Sequence, residues 1–391
     1  MRRVTLSVLT LVIKPRAFVI DSARRSLIIR TICRIIHRLP RDAPVMQLQE
    51  RWIDTFERIF RRCAVDKGEV VRLLSETDSR SINVKLAELA LARLGAVPVH
   101  IVVPTLRINT PVPVRSTGAS HVIQQMAPVM NALSGHGLVV DLTVEGLLHA
   151  PELAHILGSG ARVMMISNEH PDILERLTGD VDLTAAIKQG VRRLAKTTTM
   201  RVSSAAGTDL TAHLVGAKLG AVWGGADKPG LVQHWPGGLC LAFPPAGSVN
   251  GTLVMNVGDV NLTFKRYLET PVTLRIENDY VVAIEGQGLD AELMRSYMAA
   301  WGDREAYAVS HLGWGMNPHA RWDALQMFDK NDINGTELRA FAGNFLYSTG
   351  ANETAGRHTL GHFDLPMRHC TVKLDDLTVV DQGRLCTEAF A

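Results

Sequence analysis

The chain has 391 residues, of which 46% are hydrophobic and 21% charged, and its formal net charge is +3. This length predicts two domains, and this composition excludes a disordered or fibrous protein. The charge is uneven: residues 1–45 contain ten Lys and Arg against two Asp, so they carry +8 and the remainder carries −5. An acidic body lacks the basic face that nucleic-acid binders need, so we expect no nucleic-acid partner.

The basic N-terminal extension, residues 1–45, has three interpretations. A pair of arginines followed by the apolar run Val4–Ile13 is typical of a signal peptide, but Lys14 and Pro15 follow at once. An Arg-rich, acid-poor segment is also typical of an organelle presequence. We favour the third interpretation, in which translation begins at Met46.

Cysteine content and hydropathy bear on location. The five cysteines are widely scattered, with no C-x-x-C pair, so neither a disulfide framework nor a thiolate zinc site is predicted. No apolar run reaches the roughly 18 residues of a membrane span. We therefore expect a cytoplasmic protein with no membrane partner.

From residue 46 onward, helical and strand patterns alternate. Trp52, Phe56, Ile59 and Phe60 recur at the spacing of one helix face. Further along we predict a helix and then three buried strands: Ile82–Leu94, Val97–Val103, Leu138–Leu142 and Ala161–Ile166. Strands that alternate with helices predict an α/β domain with a mainly parallel sheet, which we place at residues 46–195.

After about residue 200 glycine and proline become frequent and the strands shorten. Asn278-Asp279 is a hairpin turn signal. We predict four strands and a helix: Leu239–Phe243, Gly251–Val257, Val272–Glu277, Val281–Glu285 and Ala291–Trp301. This pattern predicts a β-rich, antiparallel α+β domain at residues 196–391, with the site in the cleft between the two domains.

Two histidine positions and a carboxylate in the second half of the chain are typical of a metal site. In His362-Phe363-Asp364, alternate residues of an extended strand share a face, so both outer side chains can reach one ion. His311 would complete a set of two histidines and one carboxylate, which in non-haem Fe(II) oxygenases leaves positions open for substrate and dioxygen. Taken alone, a His-x-Asp pair is more often a surface pair.

Six segments occur in the order and approximate spacing of the 2,5-dihydroxypyridine 5,6-dioxygenase family, which the chain resembles from Met46 almost to its end. These segments are Gly146–Glu152, His234–Gly238, Gly251–Asp259, Ser310–Gly315, Gly343–Gly350 and His362–Pro366. The resemblance implies an Fe(II) enzyme of nicotinate breakdown that acts on a small aromatic substrate and O2. From 2,5-dihydroxypyridine it would form N-formylmaleamic acid, and we expect a homo-oligomer.

The resemblance also implies roles for single residues. His311, His362 and Asp364 would be the iron ligands. His149 would be the catalytic base that removes a ring-hydroxyl proton, a task suited to a side chain that titrates near neutrality.

The remaining implied positions belong to the substrate pocket. Leu148, His234 and Ser348 would contact the substrate. The family has a pocket glutamate where this chain has Val222, which predicts that one polar edge of the substrate is held differently.

Two other functions stay open. The fold is also similar to that of the thermophilic metallo-aminopeptidases, which bind two metal ions. Where those enzymes have a glutamate ligand this chain has Leu239, which cannot bridge two cations and so favours a single Fe(II). The other alternative is a relative that has lost catalysis and binds a small aromatic ligand.

Overall fold

The structure is a computed structural model, and it describes residues 47–106, 118–179 and 182–390. The predicted N-terminal extension lies outside the described residues. Leu48–Ala391 form one compact unit. Within the described part, no helix is long and apolar enough to cross a membrane. The domain boundary near residue 195 stays a prediction.

The first part of the chain alternates strands and helices as predicted. Its strands, numbered in chain order, are β1 Val70–Glu76, β2 Val97–Val103, β3 Gly137–Asp141, β4 Ala161–Ile166 and, after an intervening antiparallel segment, β8 Val232–Trp235. They form a parallel sheet in the order β2-β1-β3-β4-β8. Its helices are α1 Glu50–Arg62, α2 Ser81–Arg93, α3 Ala127–Leu133, α4 Glu152–Gly158, α5 Pro171–Thr178 and α6 Thr184–Leu194.

The hydrophobic face predicted for α1 is confirmed. Trp52, Phe56, Ile59 and Phe60 are all buried and pack in one core cluster with α2 and the parallel sheet. Burial of this stripe, more than helix propensity, is what stabilises a helix of this length.

The prediction that β2 is a buried strand was wrong. Val97, Val99 and Val102 are about half exposed, because β2 is the edge strand of the parallel sheet and pairs with β1 alone among the described residues. A β-branched run favours extended backbone, but it does not specify where the strand lies in the sheet.

The second part of the chain builds antiparallel sheets, as predicted. Its strands are β5 Thr199–Ser204, β6 Asp209–His213, β7 Lys218–Val222, β9 Leu239–Phe243, β10 Val249–Met255, β11 Val260–Asn261, β12 Arg266–Tyr267, β13 Val272–Glu277, β14 Tyr280–Glu285, β15 Val309–Gly315, β16 Phe345–Thr349, β17 Phe363–Met367, β18 Cys370–Leu374, β19 Leu377–Asp381 and β20 Arg384–Leu385. Two more helices are α7 Leu289–Ala299 and α8 Thr336–Ala340.

These strands form an eight-stranded sheet, a five-stranded sheet and a two-stranded sheet of β11 and β12. The eight-stranded order is β14-β13-β10-β6-β5-β18-β19-β20, and the five-stranded order is β17-β16-β15-β9-β7. The predicted hairpin at Asn278-Asp279 joins β13 and β14, and both residues have the positive φ that a tight hairpin turn requires. Side chains from both sheets share the largest core cluster.

Two sets of strand ends meet at the candidate site. Parallel sheets bind ligands outside the carboxyl ends of their strands, and here the loops after β3 and β4 and the end of β8 lie at that edge. The chain then runs from β8 directly into β9 of the five-stranded sheet. The face of that sheet supplies the opposite wall.

Candidate metal centre and substrate cavity

Three adjacent strands of the five-stranded sheet place His311, Ser348 and Asp364 side by side. His311 on β15 pairs with Ser348 on β16, and Ser348 pairs with Asp364 on β17. Residues paired directly across strands project from the same face. His362 lies two positions before Asp364, so it shares that face. The register thus brings together the three residues predicted as metal ligands.

The distances between these side chains suit a shared ion. Asp364 Oδ1 lies 3.4 Å from His362 Nε2 and 3.9 Å from His311 Nε2. Both ring nitrogens of His362, and Nδ1 of His311, are buried without a hydrogen-bond partner among the described residues. Buried polar atoms left unpaired cost free energy. A metal ion that accepts imidazole lone pairs would fit this donor set.

His149 approaches the same point from the opposite wall. Its ring centroid lies 4.5 Å from that of His362 and 5.8 Å from that of His311. One ligand atom from each of the three histidines lies within 4.8 Å of the other two. The pair His311 and His362 therefore has two candidates for a third ligand, Asp364 and His149.

The loop that carries His149 is shaped by Asp141, which is buried at the end of β3. Asp141 Oδ1 accepts hydrogen bonds from the backbone and hydroxyl of Thr143 at 3.0 and 2.6 Å, and Oδ2 accepts one from the Leu147 N–H at 2.8 Å. The His149 N–H donates to the carbonyl of Gly118 at 2.8 Å. Gly118 has a φ of +77°, and a Cβ there would lie 3.3 Å from the His149 ring. These hydrogen bonds fix the backbone of the loop that carries His149.

Arg339 is a site residue that the sequence analysis missed. Its Nε donates to Asp364 Oδ2 at 2.5 Å, while the Ser348 hydroxyl donates to Asp364 Oδ1. Only Oδ1 faces the histidines, so Asp364 would bind a metal through one oxygen. No local motif marks Arg339, because its partner lies on a different element.

Ser348 is buried and is not among the residues that line the cavity. Its hydroxyl is used to hold the Asp364 carboxylate. The contact between Ser348 and substrate expected from the sequence stays a prediction.

A chain of hydroxyl groups holds His234 at the end of β8. His234 Nε2 lies 3.3 Å from Ser167 Oγ, which lies 2.7 Å from Thr336 Oγ1. His234 Nδ1 is buried without a partner among the described residues, and the ring lines the cavity. One ring nitrogen is therefore held by the protein, while the ring itself forms part of the cavity wall.

Glu169 anchors the short helix α8. Its Oε1 accepts the backbone N–H of Gly335 and of Thr336, each at 2.9 Å, and its Oε2 accepts that of Asn334 at 2.6 Å. The carboxylate is fully buried, and burial raises its pKa. Because α8 carries both Thr336 and Arg339, one anchor sets the environment of His234 and of Asp364.

Burial determines the protonation states at the site. Burial lowers the pKa of His311 to about 3 and that of His234 to about 4. Burial, with two imidazoles alongside, also holds the pKa of His149 well below its usual 6.5. Burial alone would raise the pKa of Asp364, but Arg339 and the adjacent imidazoles hold it well below its usual value. Neutral imidazoles and an ionised carboxylate are the forms that bind a cation.

A cavity of about 540 Å³ lies between the two walls. The histidines, Asp364 and Arg339 line one part of it, and most of the remaining lining is apolar. Leu148, His234, Val222 and Leu239 are among the lining residues, and the predicted contacts of Leu148 and His234 with substrate stay a prediction. This volume falls within the range of about 300–1,000 Å³ typical of small-molecule sites.

Fold and site together define the class of protein: an α/β enzyme with a buried histidine and carboxylate centre in a largely apolar cavity. The NicX family model, described as 2,5-dihydroxypyridine 5,6-dioxygenase, matches residues 51–387, and the chain belongs to this family. Membership implies a metal cofactor, and the unpaired buried imidazole nitrogens fit one.

Individual relatives agree with this assignment. The chain is 36% identical to a 2,5-dihydroxypyridine 5,6-dioxygenase of Pseudomonas putida over 335 residues, which is 84% of this chain and 94% of that protein. The solved structure of the 2,5-dihydroxypyridine dioxygenase of P. putida matches with a TM-score of 0.81 at 34% identity, covering 85% of this chain and 96% of that one.

A more distant structure shares only the fold. AmpT from Thermus thermophilus matches with a TM-score of 0.56 at 13% identity, covering 86% of this chain and 99% of that one. The predicted combination of a parallel α/β sheet with antiparallel sheets, and its likeness to the aminopeptidase fold, are confirmed.

Proposed function

We propose that the protein is an Fe(II)-dependent dioxygenase that cleaves the ring of 2,5-dihydroxypyridine to N-formylmaleamic acid. The observation that carries this proposal is the row of His311, Ser348 and Asp364, joined by His362, on one wall of an apolar cavity. Ligands on one side of an ion leave its other positions open. Bound Fe(II) would supply the one-electron chemistry that couples dioxygen to an aromatic ring.

His149 is suited to take the ring-hydroxyl proton. Its lowered pKa keeps the imidazole neutral, and therefore able to accept a proton, at neutral pH, while making it a weaker base than the histidine near neutrality expected from the sequence. It stands across the cavity from Asp364, close to where the ring would lie. A substrate held as its anion binds a cation more strongly and gives up electron density more readily. The same imidazole can later return the proton.

The charged side chains of the site, Asp364 and Arg339, are compatible with an anionic substrate ring beside the proposed metal position. The negative charge of Asp364 is balanced by Arg339, which pairs with it directly. The protein therefore adds no net negative charge beside the metal position, and an anionic substrate is not repelled. The His234 ring and Leu148 both line the cavity, where they would contact the substrate ring.

The alternative of a two-metal aminopeptidase has less support. Leu239 lines the cavity with an apolar side chain where a second metal would need a carboxylate. A relative without catalysis is also disfavoured, because the proposed ligands His311, His362 and Asp364 are all present and adjacent.

Iron content and oxygen uptake test the proposal. Protein purified under argon and loaded with Fe(II) should bind one iron per chain. It should consume one O2 for each 2,5-dihydroxypyridine, with N-formylmaleamic acid identified by mass spectrometry. Full iron occupancy without oxygen uptake would contradict the dioxygenase, and two zinc or cobalt ions per chain with peptidase activity would favour the alternative.

Cellular setting and assembly are also proposed. Cys63, Cys240 and Cys370 are buried free thiols, which suits a reducing cytoplasm. We place the enzyme in nicotinate-type aromatic degradation and expect a homo-oligomer, which light scattering of the purified protein would test.

A further inference from the structure

The sheet face that carries the ligand row continues away from it as an apolar surface. Phe243 on β9 lies beside His311, with ring centroids 5.2 Å apart. Leu241 and Leu239 follow on the same face, because alternate residues of a strand share a side. At about 3.4 Å per residue they lie about 7 and about 14 Å along the strand from Phe243. Leu239 pairs with Val222 on β7, which extends this surface sideways.

Apolar side chains also cover the opposite side of this region. Leu153 and Leu157 of α4, together with Leu231 beside β8, line the same cavity. Gln233 is polar, but its Oε1 accepts from two backbone N–H groups and its Nε2 donates to the Ala221 carbonyl. Its amide is therefore already used by the protein.

Charged groups lie at the rim of this region. Lys218 at the start of β7 is 67% exposed and pairs with Glu353 at 3.3 Å. The interior part, which we call the apolar arm, is made by Leu157, Val222, Leu231, Leu239 and Leu241.

The cavity is larger than a dihydroxypyridine requires. Its 540 Å³ lies within the range of drug-sized ligands, whereas a single ring with two hydroxyl groups is much smaller. A single ring beside the ligand row would lie next to Phe243, whose ring centroid is 5.2 Å from that of His311. The deeper part of the arm would then face only water, which is unfavourable for apolar surface.

We propose that the apolar arm binds an apolar substituent on the hydroxypyridine ring, so that the preferred substrate carries an alkyl or aryl group. This inference rests on the proposed function and narrows its substrate class. Carbons 3 and 4 are the available positions, because carbon 2 carries a hydroxyl group and the bond between carbons 5 and 6 is cleaved.

Binding in the absence of oxygen tests the arm separately from catalysis. Fe(II)-loaded protein under argon would be titrated with 2,5-dihydroxypyridine and with its 3-propyl and 4-propyl derivatives. Each buried methylene strengthens binding about fourfold, so at least one propyl compound should bind roughly tenfold or more tightly than the parent. Equal or weaker binding of both propyl compounds would overturn the inference.

Larger side chains in the apolar arm should remove the preference for the propyl derivatives over 2,5-dihydroxypyridine. Val222→Phe and, from the opposite wall, Leu157→Phe should each reduce the ratio of propyl to parent affinity at least fivefold. Val215→Phe is the matched control, because Val215 is 71% exposed just before β7 and should leave the ratio unchanged. If both filled variants keep the wild-type ratio, the substituent does not lie in the arm. Two variants on different walls guard against a folding defect in either one.

Turnover then separates this inference from the proposed function. Suppose that the enzyme consumes oxygen with the parent compound but binds neither propyl compound more tightly. The proposed dioxygenase activity would then be supported, and the proposal that the apolar arm binds a substituent would be contradicted. The opposite result is tighter binding of a propyl compound that Val222→Phe abolishes, with no oxygen uptake for any of the three compounds. It would support substituent binding in the apolar arm and contradict the proposed dioxygenase activity.

Discussion

Asp364 and His149 stand on opposite sides of His311 and His362, and either could complete a set of three ligands. Asp364 is ionised, and its two oxygens are held by Arg339 and Ser348, which fixes Oδ1 toward the histidines. Among the described residues, the hydrogen bond that holds His149 comes from its backbone N–H, and its ring lines the cavity. We therefore propose that Asp364 is the third metal ligand and that His149 faces the substrate.

Alanine variants at these positions should separate the two roles. His311→Ala, His362→Ala and Asp364→Ala should each lose bound iron while circular dichroism stays unchanged, because each removes a ligand. His149→Ala should keep one iron per chain. Iron lost from His149→Ala and kept in Asp364→Ala would reverse the assignment.

The kinetic effect of His149→Ala follows from its role as a base. Turnover should fall by about 10²–10⁴, the usual contribution of general acid–base catalysis. In the wild type, a lowered pKa keeps the base form present at pH 6.5, so the acid limb of the activity profile should lie below that value. A variant with wild-type turnover across pH 6–8 would reduce His149 to a packing role.

Among the elements, the short helix α8 has an influence out of proportion to its length. Its first residue, Thr336, reaches His234 through Ser167, and its fourth, Arg339, pairs with Asp364. Three backbone N–H groups at its start are held by the buried Glu169 carboxylate. The helix therefore positions groups on both the substrate side and the metal side.

Single substitutions in α8 should affect either the environment of His234 or that of Asp364, but not both. Thr336→Val removes one hydrogen bond, worth about 0.5–1.5 kcal/mol, and should raise KM for the ring by roughly two- to tenfold with iron content unchanged. Arg339→Leu should weaken iron binding, because the Asp364 carboxylate loses its cationic partner.

Glu169→Gln should produce both defects at once, since an amide N–H₂ would face the Asn334 N–H. Glu337→Gln is the matched control: Glu337 lies in the same helix but pairs with Arg176, away from His234 and Asp364. If Glu337→Gln changes KM and iron affinity as much as Glu169→Gln does, the effects come from general helix stability.

At the scale of the whole molecule, the site lies between the parallel sheet and the five-stranded antiparallel sheet. Folding buries several histidine side chains there in their neutral form. Burial lowers the pKa of His234 to about 4, against 6.5 in an unfolded chain. Between these values the unfolded chain binds a proton that the folded chain does not. Stability from this group is therefore complete above pH 6.5 and declines as the pH falls toward 4.

The pH dependence of metal-free protein should reveal this linkage. From pH 7 to pH 5, wild type should lose about 2 kcal/mol of unfolding free energy relative to His234→Asn, measured in urea. The comparison is made between variants because burial raises the pKa of Glu76 to about 7, which acts in the opposite direction. A difference that stays constant with pH would contradict the prediction.

The amino-acid sequence by itself determined the local structure. Periodic apolar residues specified α1, and the turn residues Asn278-Asp279 specified the β13–β14 hairpin. The common face of His362 and Asp364 also followed from sequence, because it depends only on the two-residue repeat of extended backbone. Such features depend on interactions between near neighbours, which the order of residues contains.

Only the tertiary structure decided which distant residues meet. Strand order made β2 an exposed edge, and strand register aligned His311 with Asp364. The packing of α8 brought Arg339 to that carboxylate, and two separate walls brought His149 to face it. These contacts join residues far apart in the chain, and no local repeat encodes them, because their geometry arises from sheet pairing and burial throughout the fold.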